Sequence, residues 1–250
     1  MVEKRQGVKN LEYKASSLSE RRKFYEKEFS IKKVKAWFKK NNLRSPQICA
    51  LDAGSESGII INKKFKKILF YFPFEELKKK IEKYIPESIY YDRNYYLNPK
   101  KVLKNLKFEN FEKQELVFDV DWDNLDYENG QEPKVADKYI DEAYKWVIKM
   151  KKALDKEGFK KIEIVYSGRG FHIHILDKKG FELSIKERKK LTKKFSGFPI
   201  DSWVSEGYIN LARMPYSLNG LVSRKVIPIE IKNKFNKKLS YPRFLKSKKN

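Results

Sequence analysis

Apolar positions recur along this chain with two different spacings, which together predict a mixture of helices and strands. Helical spacing predicts helices within residues 17–42 (in one or two pieces), 73–86, 132–158 and 184–197. Ser19 is the predicted N-cap of the first helix, and Gly158 is predicted to end the third. Alternating or continuous apolar runs predict strands within residues 46–54, 59–72, 115–122, 160–180 and 207–231. Because several strands are close in sequence and helices separate the others, we expect an α+β or mixed α/β domain.

The charge balance narrows the classes of partner. The 250 residues include 57 Lys and Arg against 33 Asp and Glu, a net charge of +24. So many positive charges repel one another in a compact protein, which indicates a polyanionic partner. Nucleic acid is the first candidate for this partner, and a membrane surface is the second. A lysine-rich, solvated surface is the alternative explanation for part of it. The last residues are also basic, and we expect a domain over 1–231 followed by a basic extension over 232–250.

Cysteine content and hydropathy exclude several other classes. Cys49 is the only cysteine, so no intrachain disulfide and no cysteine-based zinc site can form. The first residues have no apolar signal core, and no apolar run approaches the ~18 residues of a membrane span. We therefore expect a soluble, intracellular protein.

The segment ELVFDVDWDN, residues 115–124, places carboxylates at every second position of a predicted strand. Alternation should turn Val117, Asp119, Asp121 and Asp123 to one face, and Leu116, Phe118, Val120 and Trp122 to the other. The carboxylates would then lie about 7 Å apart, a spacing at which like charges oppose each other's ionisation. A divalent cation relieves this repulsion, and oxygen ligands suit Mg²⁺ or Mn²⁺. A solvated acidic strand is the alternative.

An EF-hand calcium loop is the second alternative for the same carboxylates. Asp119, Asp121 and Asp123 have the spacing of loop positions one, three and five. Position six is Asn124 where the loop needs glycine, and position twelve is Gly130 where it needs glutamate. A strand also precedes the segment, so we reject this interpretation.

A second polar motif, Ser167-Gly168-Arg169-Gly170, lies between two predicted strands and is followed by His172 and His174. Glycines permit a tight turn whose N–H groups can hold an anion, and arginine adds a bidentate phosphate donor. The motif is therefore a candidate triphosphate site. An ordinary glycine-rich hairpin is the alternative. The two histidines could also form half of a zinc site, although no cysteine or further histidine is present to complete it.

Taken together, the two motifs resemble the small catalytic subunit of archaeal and eukaryotic DNA primases. In that family a strand carries Asp-x-Asp, matched here by Asp119 and Asp121. A second motif, Ser-x-Arg-x-x-His, is matched by Ser167, Arg169 and His172. The resemblance extends over residues 19–231 and implies central, mostly antiparallel sheets flanked by helices.

The family's third motif is also present. A late catalytic aspartate corresponds to Asp201, a basic position to Arg213, and a Ser-Leu-His-like turn to residues 217–219. The position of the family's histidine is Asn219 here, which carries no charge. The cysteine zinc knuckle of many archaeal relatives is absent, and the region between the second and third motifs is short. The resemblance therefore implies a minimal version of the catalytic domain.

The chemistry implied by the resemblance is nucleotidyl transfer with two Mg²⁺ or Mn²⁺ ions and without zinc. It assigns the metal ions to Asp119, Asp121 and Asp201. It assigns the nucleoside triphosphate to Ser167, Arg169, His172, Arg213 and Asn219, with Arg224 or Lys225 also within reach. The implied partners are single-stranded DNA template, nucleoside triphosphates and a large primase subunit as a separate chain.

Two other functions remain open at this stage. A stand-alone primase-polymerase of a mobile element or repair pathway has the same three motifs, and a non-catalytic nucleic-acid-binding module could keep the same fold. Positive surface would hold the template backbone, and Tyr95 and Tyr96 are candidates for stacking on bases or ribose.

Overall fold

The computed structural model describes residues 13–54, 69–125 and 135–246. Two four-stranded antiparallel sheets form its centre, which confirms the expected α+β class. The strands are β1 (Ile48–Asp52), β2 (Leu69–Pro73), β3 (Ser88–Asp92), β4 (Asn94–Tyr95), β5 (Lys113–Gln114), β6 (Leu116–Asp121), β7 (Ile162–Tyr166), β8 (Gly170–Ile175), β9 (Leu211–Arg213), β10 (Leu218–Asn219), β11 (Arg224–Lys225) and β12 (Ile227–Ile229).

Helices cover the sheets. They are α1 (Leu18–Lys27), α2 (Ile31–Lys40), α3 (Leu77–Tyr84), α4 (Pro99–Asn105), α5 (Asp137–Lys156), α6 (Lys178–Glu182), α7 (Ile185–Lys194), α8 (Ser202–Glu206) and α9 (Arg243–Lys246). None of the helices in the described part of the chain is both long enough and apolar enough to cross a membrane.

The predicted first helix is two helices, and its N-cap differs from the predicted one. The Ser17 hydroxyl accepts the N–H of Glu20, whose carboxylate in turn accepts the N–H of Ser17, forming a capping box. Ser30 is the N-cap of α2, and its hydroxyl accepts the N–H of Lys33. The N-cap prediction of Ser19 was therefore wrong by two residues, because the reciprocal bond to Glu20 selects Ser17.

The two sheets have different neighbours and therefore different cores. The first has the order β2-β1-β3-β9, and the second has the order β12-β7-β8-β6. One face of the second sheet packs on the apolar side of α5 through Phe118, Ile173 and Tyr144. Val165 of its opposite face belongs to the core of the first sheet. The second sheet is thus covered on both faces, and its polar side chains lie in protein surroundings.

The C-terminal segment, residues 232–246, packs against the domain. Phe235 joins the core beneath α5, and Phe244 and Leu245 join the core of the first sheet. Lys237 Nζ lies 2.6 Å from the Asp141 carboxylate of α5.

Parts of two predicted elements lie outside the described residues. These are positions 59–68 of the strand material predicted at 59–72, and positions 132–134 of the long helix.

Candidate active site

Strand β6 carries the first motif, and its pairing with β8 sets the geometry of the site. Asp119 lies opposite His172, and Asp121 lies opposite Gly170. Leu116, Phe118 and Val120 are fully buried on the other face. The predicted alternation therefore holds as far as Asp121.

Beyond Asp121 the prediction of a continuing strand was wrong. Trp122 and Asp123 belong to a short 3-10 turn, Trp122–Asn124, so they do not continue the two faces. The Asp121 carboxylate accepts the N–H of Trp122 at 2.7 Å and caps this turn. Asp123 consequently leaves the row of carboxylates on β6, and its closest cation is Arg169.

The Ser-Gly-Arg-Gly motif is a tight turn between β7 and β8. The Ser167 N–H donates to the Gly170 carbonyl at 2.9 Å, and the Gly170 N–H donates to the Ser167 hydroxyl at 3.1 Å. Gly168 has φ +101°. A residue with a side chain would be strained in this backbone conformation, whereas glycine adopts it readily. At Gly170 a Cβ would lie 2.4 Å from the carbonyl oxygen of Val120. Glycine at 170 thus lets the turn contact β6 directly.

Asp201 reaches the same place from the end of another element. It is the N-cap of α8, where its carboxylate accepts the N–H groups of Trp203 at 2.8 Å and Val204 at 3.4 Å. Its own N–H donates to the carbonyl of Asp119 at 3.0 Å. This main-chain bond joins two aspartates that are far apart in sequence, and it places Asp201 beside the Asp119 of β6.

Two arginines balance part of this negative charge. Arg169 donates to the Asp123 carboxylate at 2.5 Å, and its Nε lies 3.5 Å from Asp121. Arg213 comes from β9 of the first sheet, where it donates to the Ser88 hydroxyl at 2.8 Å. The positive charge of Arg213 lowers the pKa values of Asp119 and Asp121, so it acts on the same site.

The two arginines do not fully balance the negative charge around Asp119 and Asp121. Burial, followed by the charges of Asp121 and Asp201, raises the pKa of Asp119 well above its usual value. Burial raises the pKa of Asp121 to about 6, against the opposing effect of Arg169. Both carboxylates therefore bind protons more strongly than exposed ones do, which is the expected state of carboxylates that share a site without a cation between them.

His172 faces these carboxylates. Its Nε2 lies 3.8 Å from Asp119 Oδ1, which is too far for a hydrogen bond. Burial, then the neighbouring His174, lowers the pKa of His172 well below 6.5, so the ring is neutral at pH 7. Among the described residues, neither Asp119 Oδ1 nor His172 Nδ1 has a hydrogen-bond partner.

His174 lies on the same strand face but in the core. Its Nδ1 is 2.7 Å from Glu115 Oε1, and the Tyr91 hydroxyl donates to Glu115 Oε2 at 2.8 Å. Its ring packs edge-on against Trp37. The interpretation of the two histidines as half of a zinc site has no support in these contacts, since His174 is held by a structural network.

Asn219 supports the turn from beneath, and Arg224 is enclosed by aromatic rings. The Asn219 amide donates to the Ser167 carbonyl at 3.0 Å, and both residues are buried. Arg224 is fully buried, with its guanidinium over the rings of Tyr13 and Tyr241.

The basic residue after Arg224 and the two candidate stacking tyrosines have neighbours of their own. Lys225 Nζ lies 3.7 Å from the Glu28 carboxylate. Tyr96 is buried and donates to Asp92, and Tyr95 packs edge-on against Phe181.

Sequence comparison with known proteins identifies relatives of this chain. An uncharacterized DNA primase small subunit-like protein of Archaeoglobus fulgidus is 36% identical, and the match covers 86% of this chain and 85% of that protein. The chain belongs to the DNA primase small subunit family. DNA primase small subunits PriS of Pyrobaculum calidifontis and Pyrococcus furiosus are 33% and 30% identical over 54% and 73% of this chain. The matches span 41% and 50% of those two proteins. No protein-family model matches the chain.

One buried residue that the sequence analysis missed links the strand and the helix beside which Asp119 and Asp201 lie. Arg93, directly after β3, is almost fully buried and donates to the carbonyls of Glu115 at 2.8 Å and Val204 at 3.0 Å, and also to that of Ile209. It therefore ties β6 to α8, the elements that carry Asp119 and Asp201. The signal in the sequence that could have identified Arg93 is its position directly after the aromatic strand segment IYYD.

The fit of a metal ion to Asp119, Asp121 and Asp201 depends on the orientation of their carboxylate oxygens. Among the described residues, no group of three or more His, Cys, Asp or Glu side chains could hold an ion as it stands. Asp201 is turned to the N-terminus of α8, and Asp121 is turned to Trp122 and Arg169. Asp119 Oδ1 is buried with no donor, which is a cost that a cation would remove. Carboxylate oxygens are donors that suit a hard cation, but in this conformation the three side chains do not meet around one position.

Proposed function

We propose that this protein is the catalytic subunit of a DNA primase. It would join nucleoside triphosphates into short RNA or DNA primers along a single-stranded DNA template. The observation that carries the proposal is the main-chain hydrogen bond between Asp201 and Asp119. That bond brings Asp201 next to Asp119 of β6, whose pairing with β8 sets Asp121 beside the Ser-Gly-Arg-Gly turn. Nucleotidyl transfer needs such a junction of metal-binding and phosphate-binding groups.

In this proposal Asp119, Asp121 and Asp201 hold two Mg²⁺ or Mn²⁺ ions. When bound, such ions stabilise the attacking hydroxyl and the leaving pyrophosphate oxygens. Asp119 Oδ1 is the oxygen already free to accept one. The raised pKa values of Asp119 and Asp121 support this assignment, because burial, and after it the neighbouring carboxylates, disfavour the charged forms that a bound cation would stabilise.

The second motif would bind the triphosphate. Arg169 would exchange its contacts with Asp121 and Asp123 for phosphate oxygens, and Asp123 would hold it in place beforehand. His172 would remain neutral and donate one hydrogen bond. Ser167 and Asn219 would keep the turn in shape, so that its N–H groups can meet the phosphates. Arg213 would add positive charge from the first sheet.

The basic balance of the chain supports a polyanionic template as its partner. A large primase subunit, as a separate chain, completes the proposed assembly and would assist initiation.

The experiment is oligonucleotide synthesis on single-stranded DNA with Mg²⁺ or Mn²⁺ and both types of nucleoside triphosphate. Asp121→Asn should abolish synthesis and leave template binding unchanged. Asp155→Asn is the matched control, because it removes one charge from the surface of α5. Equal loss of synthesis and template binding in Asp121→Asn would contradict the assigned role.

Two further comparisons separate the other functions. De novo synthesis, compared with extension of a supplied primer, distinguishes a primase from a stand-alone primase-polymerase. A non-catalytic module would show no shift of melting temperature when nucleoside triphosphate and Mn²⁺ are added together.

A further inference from the structure

Helix α8 has two faces, and its outward face carries large aromatic side chains. Val204 and Ser205 are buried and fill its inner side. Trp203 is 66% exposed, and Tyr208, just after the helix, is 54% exposed. Their ring centroids are 6.1 Å apart. Exposed aromatic side chains of this size in a pair are uncommon on a solvated surface, and they indicate a binding surface.

Trp203 of this aromatic pair is the second residue after the predicted metal ligand Asp201. The N–H of Trp203 donates directly to the Asp201 carboxylate, and the N–H of Tyr208 donates to the Trp203 carbonyl. The orientation of α8 is therefore fixed relative to β6. Whatever binds on the aromatic pair lies beside the site of the reaction.

Positive charge borders the same surface. A cleft of about 570 Å³ between α7 and α8 is lined by Lys189 and Lys193, and Ile200 and Ser202, which flank Asp201, also line it. Lys189 Nζ lies 5.4 Å from the centre of the Tyr208 ring. Neither lysine forms an ion pair with a carboxylate of the described residues, although Glu206 also lines the cleft.

We propose that Trp203, Tyr208, Lys189 and Lys193 form a platform for single-stranded nucleic acid next to the catalytic carboxylates. Bases stack on the two rings while the ammonium groups of Lys189 and Lys193 contact the phosphates. Aromatic rings with interleaved cations are the recognised means of holding a single strand without sequence preference. The cations make a nucleic acid strand a better occupant than an apolar protein surface. This inference rests on the proposed function, because it identifies where the strand enters that site.

The test is binding of a fluorescein-labelled oligonucleotide of about 20 thymidines, measured by anisotropy in EDTA over a range of salt concentrations. Trp203→Ala should weaken binding about tenfold or more, since it removes one stacking partner. Trp203→Phe should restore most of the affinity. Leu239→Ala is the matched control, because Leu239 is also an exposed apolar residue, at 58%, and should bind like the unaltered protein.

The role of the lysines is tested by comparing substitutions of two adjacent residues of α7, Lys189 and Lys190. Lys189→Ala should weaken binding and reduce the salt dependence by about one phosphate contact. Lys190→Ala should do neither, because Lys190 lines a different cleft, towards Phe159.

Unchanged oligonucleotide binding in both Trp203→Ala and Lys189→Ala would overturn the platform. So would a change in the association state of Trp203→Ala with oligonucleotide binding intact, since the patch would then be a protein contact. Binding of nucleoside triphosphate with Mn²⁺, measured separately, tests the proposed function. Its absence in the unaltered protein would sink that function alone.

Discussion

The two ends of the β6–β8 pair present the same residue types in opposite circumstances. At one end His174 contacts the carboxylate of Glu115, which also accepts the hydroxyl of Tyr91. At the other end His172 stands 3.8 Å from Asp119 without a hydrogen bond. The two rings lie only 5.8 Å apart on one strand face. Both Glu115 oxygens and His174 Nδ1 have protein partners, and His174 Nε2 has none among the described residues. Neither Asp119 Oδ1 nor His172 Nδ1 has a partner among the same residues.

This difference separates a structural carboxylate–histidine pair from a candidate catalytic one. A buried carboxylate whose two oxygens both have hydrogen-bond partners contributes to the fold, whereas a buried carboxylate oxygen without a partner costs stability. We call the Glu115 end completed and the Asp119 end incomplete in this sense. The completed end therefore predicts large effects on stability. The incomplete end predicts small effects on stability and large effects on ligand binding.

The largest effect is expected at the completed end. Glu115→Ala should destabilise the protein by about 3–5 kcal/mol, because it leaves His174 and Tyr91 buried without their shared acceptor. Glu115→Gln should cost less, since it keeps one acceptor. Denaturant unfolding measures both. A loss below about 1 kcal/mol for the alanine variant would show that water or a rotated side chain replaces the carboxylate.

A substitution of Arg93 tests whether the stability of the completed end and ligand binding at the incomplete end depend on each other. Arg93→Met should destabilise by roughly 3 kcal/mol, because it removes the donor of three backbone carbonyls at once. It should also weaken binding of nucleoside triphosphate with Mn²⁺, as α8 and Asp201 lose their tie to β6. Isothermal titration and denaturant unfolding report the two effects. Normal ligand affinity in a destabilised variant would limit Arg93 to the fold.

A third buried carboxylate gives a pH-dependent effect. Burial raises the pKa of Asp92 to about 6, although Asn94, Tyr96 and Asn210 donate hydrogen bonds to it. The folded protein therefore binds this proton more tightly than the unfolded chain. Its contribution to stability is complete below pH ~4 and is lost as the pH rises through about 6, a decrease of about 2–3 kcal/mol.

Asp92→Asn isolates that contribution from those of other groups. Unfolding free energies measured from pH 4 to 7 should fall more steeply for the unaltered protein than for the variant. Parallel curves would show that Asp92 is ionised throughout this range.

The smallest effect on stability is expected at the incomplete end. His172→Gln should change the free energy of unfolding by no more than about 1 kcal/mol, since no hydrogen bond is broken. It should weaken binding of nucleoside triphosphate with Mn²⁺ roughly tenfold, because the amide that replaces the ring N–H as a donor to a charged group is on a more flexible side chain. His174→Gln is the matched control and should show the reverse pattern. Similar stability losses in both variants would abolish the distinction between the two ends.

The local parts of this site could be predicted from the sequence. The alternation in 116–121 identified the buried face of β6, and two glycines identified the turn before His172. Both depend on neighbours within a few positions. The start of a helix depends on which of several nearby serines can act as its N-cap. In α1 this is Ser17, because Glu20 lies three residues later and completes a capping box.

The long-range parts could not be predicted from local patterns. The stretch from 115 to 132 contains no lysine or arginine, yet Arg169 reaches Asp121 and Asp123 because strand pairing sets Gly170 opposite Asp121. The place of Asp201 followed only from the family resemblance. The carbonyl contacts of Arg93 depend on where three separate elements end.

Gly170 has a consequence for how this site can change. A side chain there would meet the main-chain oxygen of Val120 and the Cα of Asp121. No replacement of a neighbouring side chain can make room, because the obstruction is backbone that every residue type carries. We therefore expect damage at position 170 to have no second-site suppressor within β6, and a selection for revertants should return glycine at that codon.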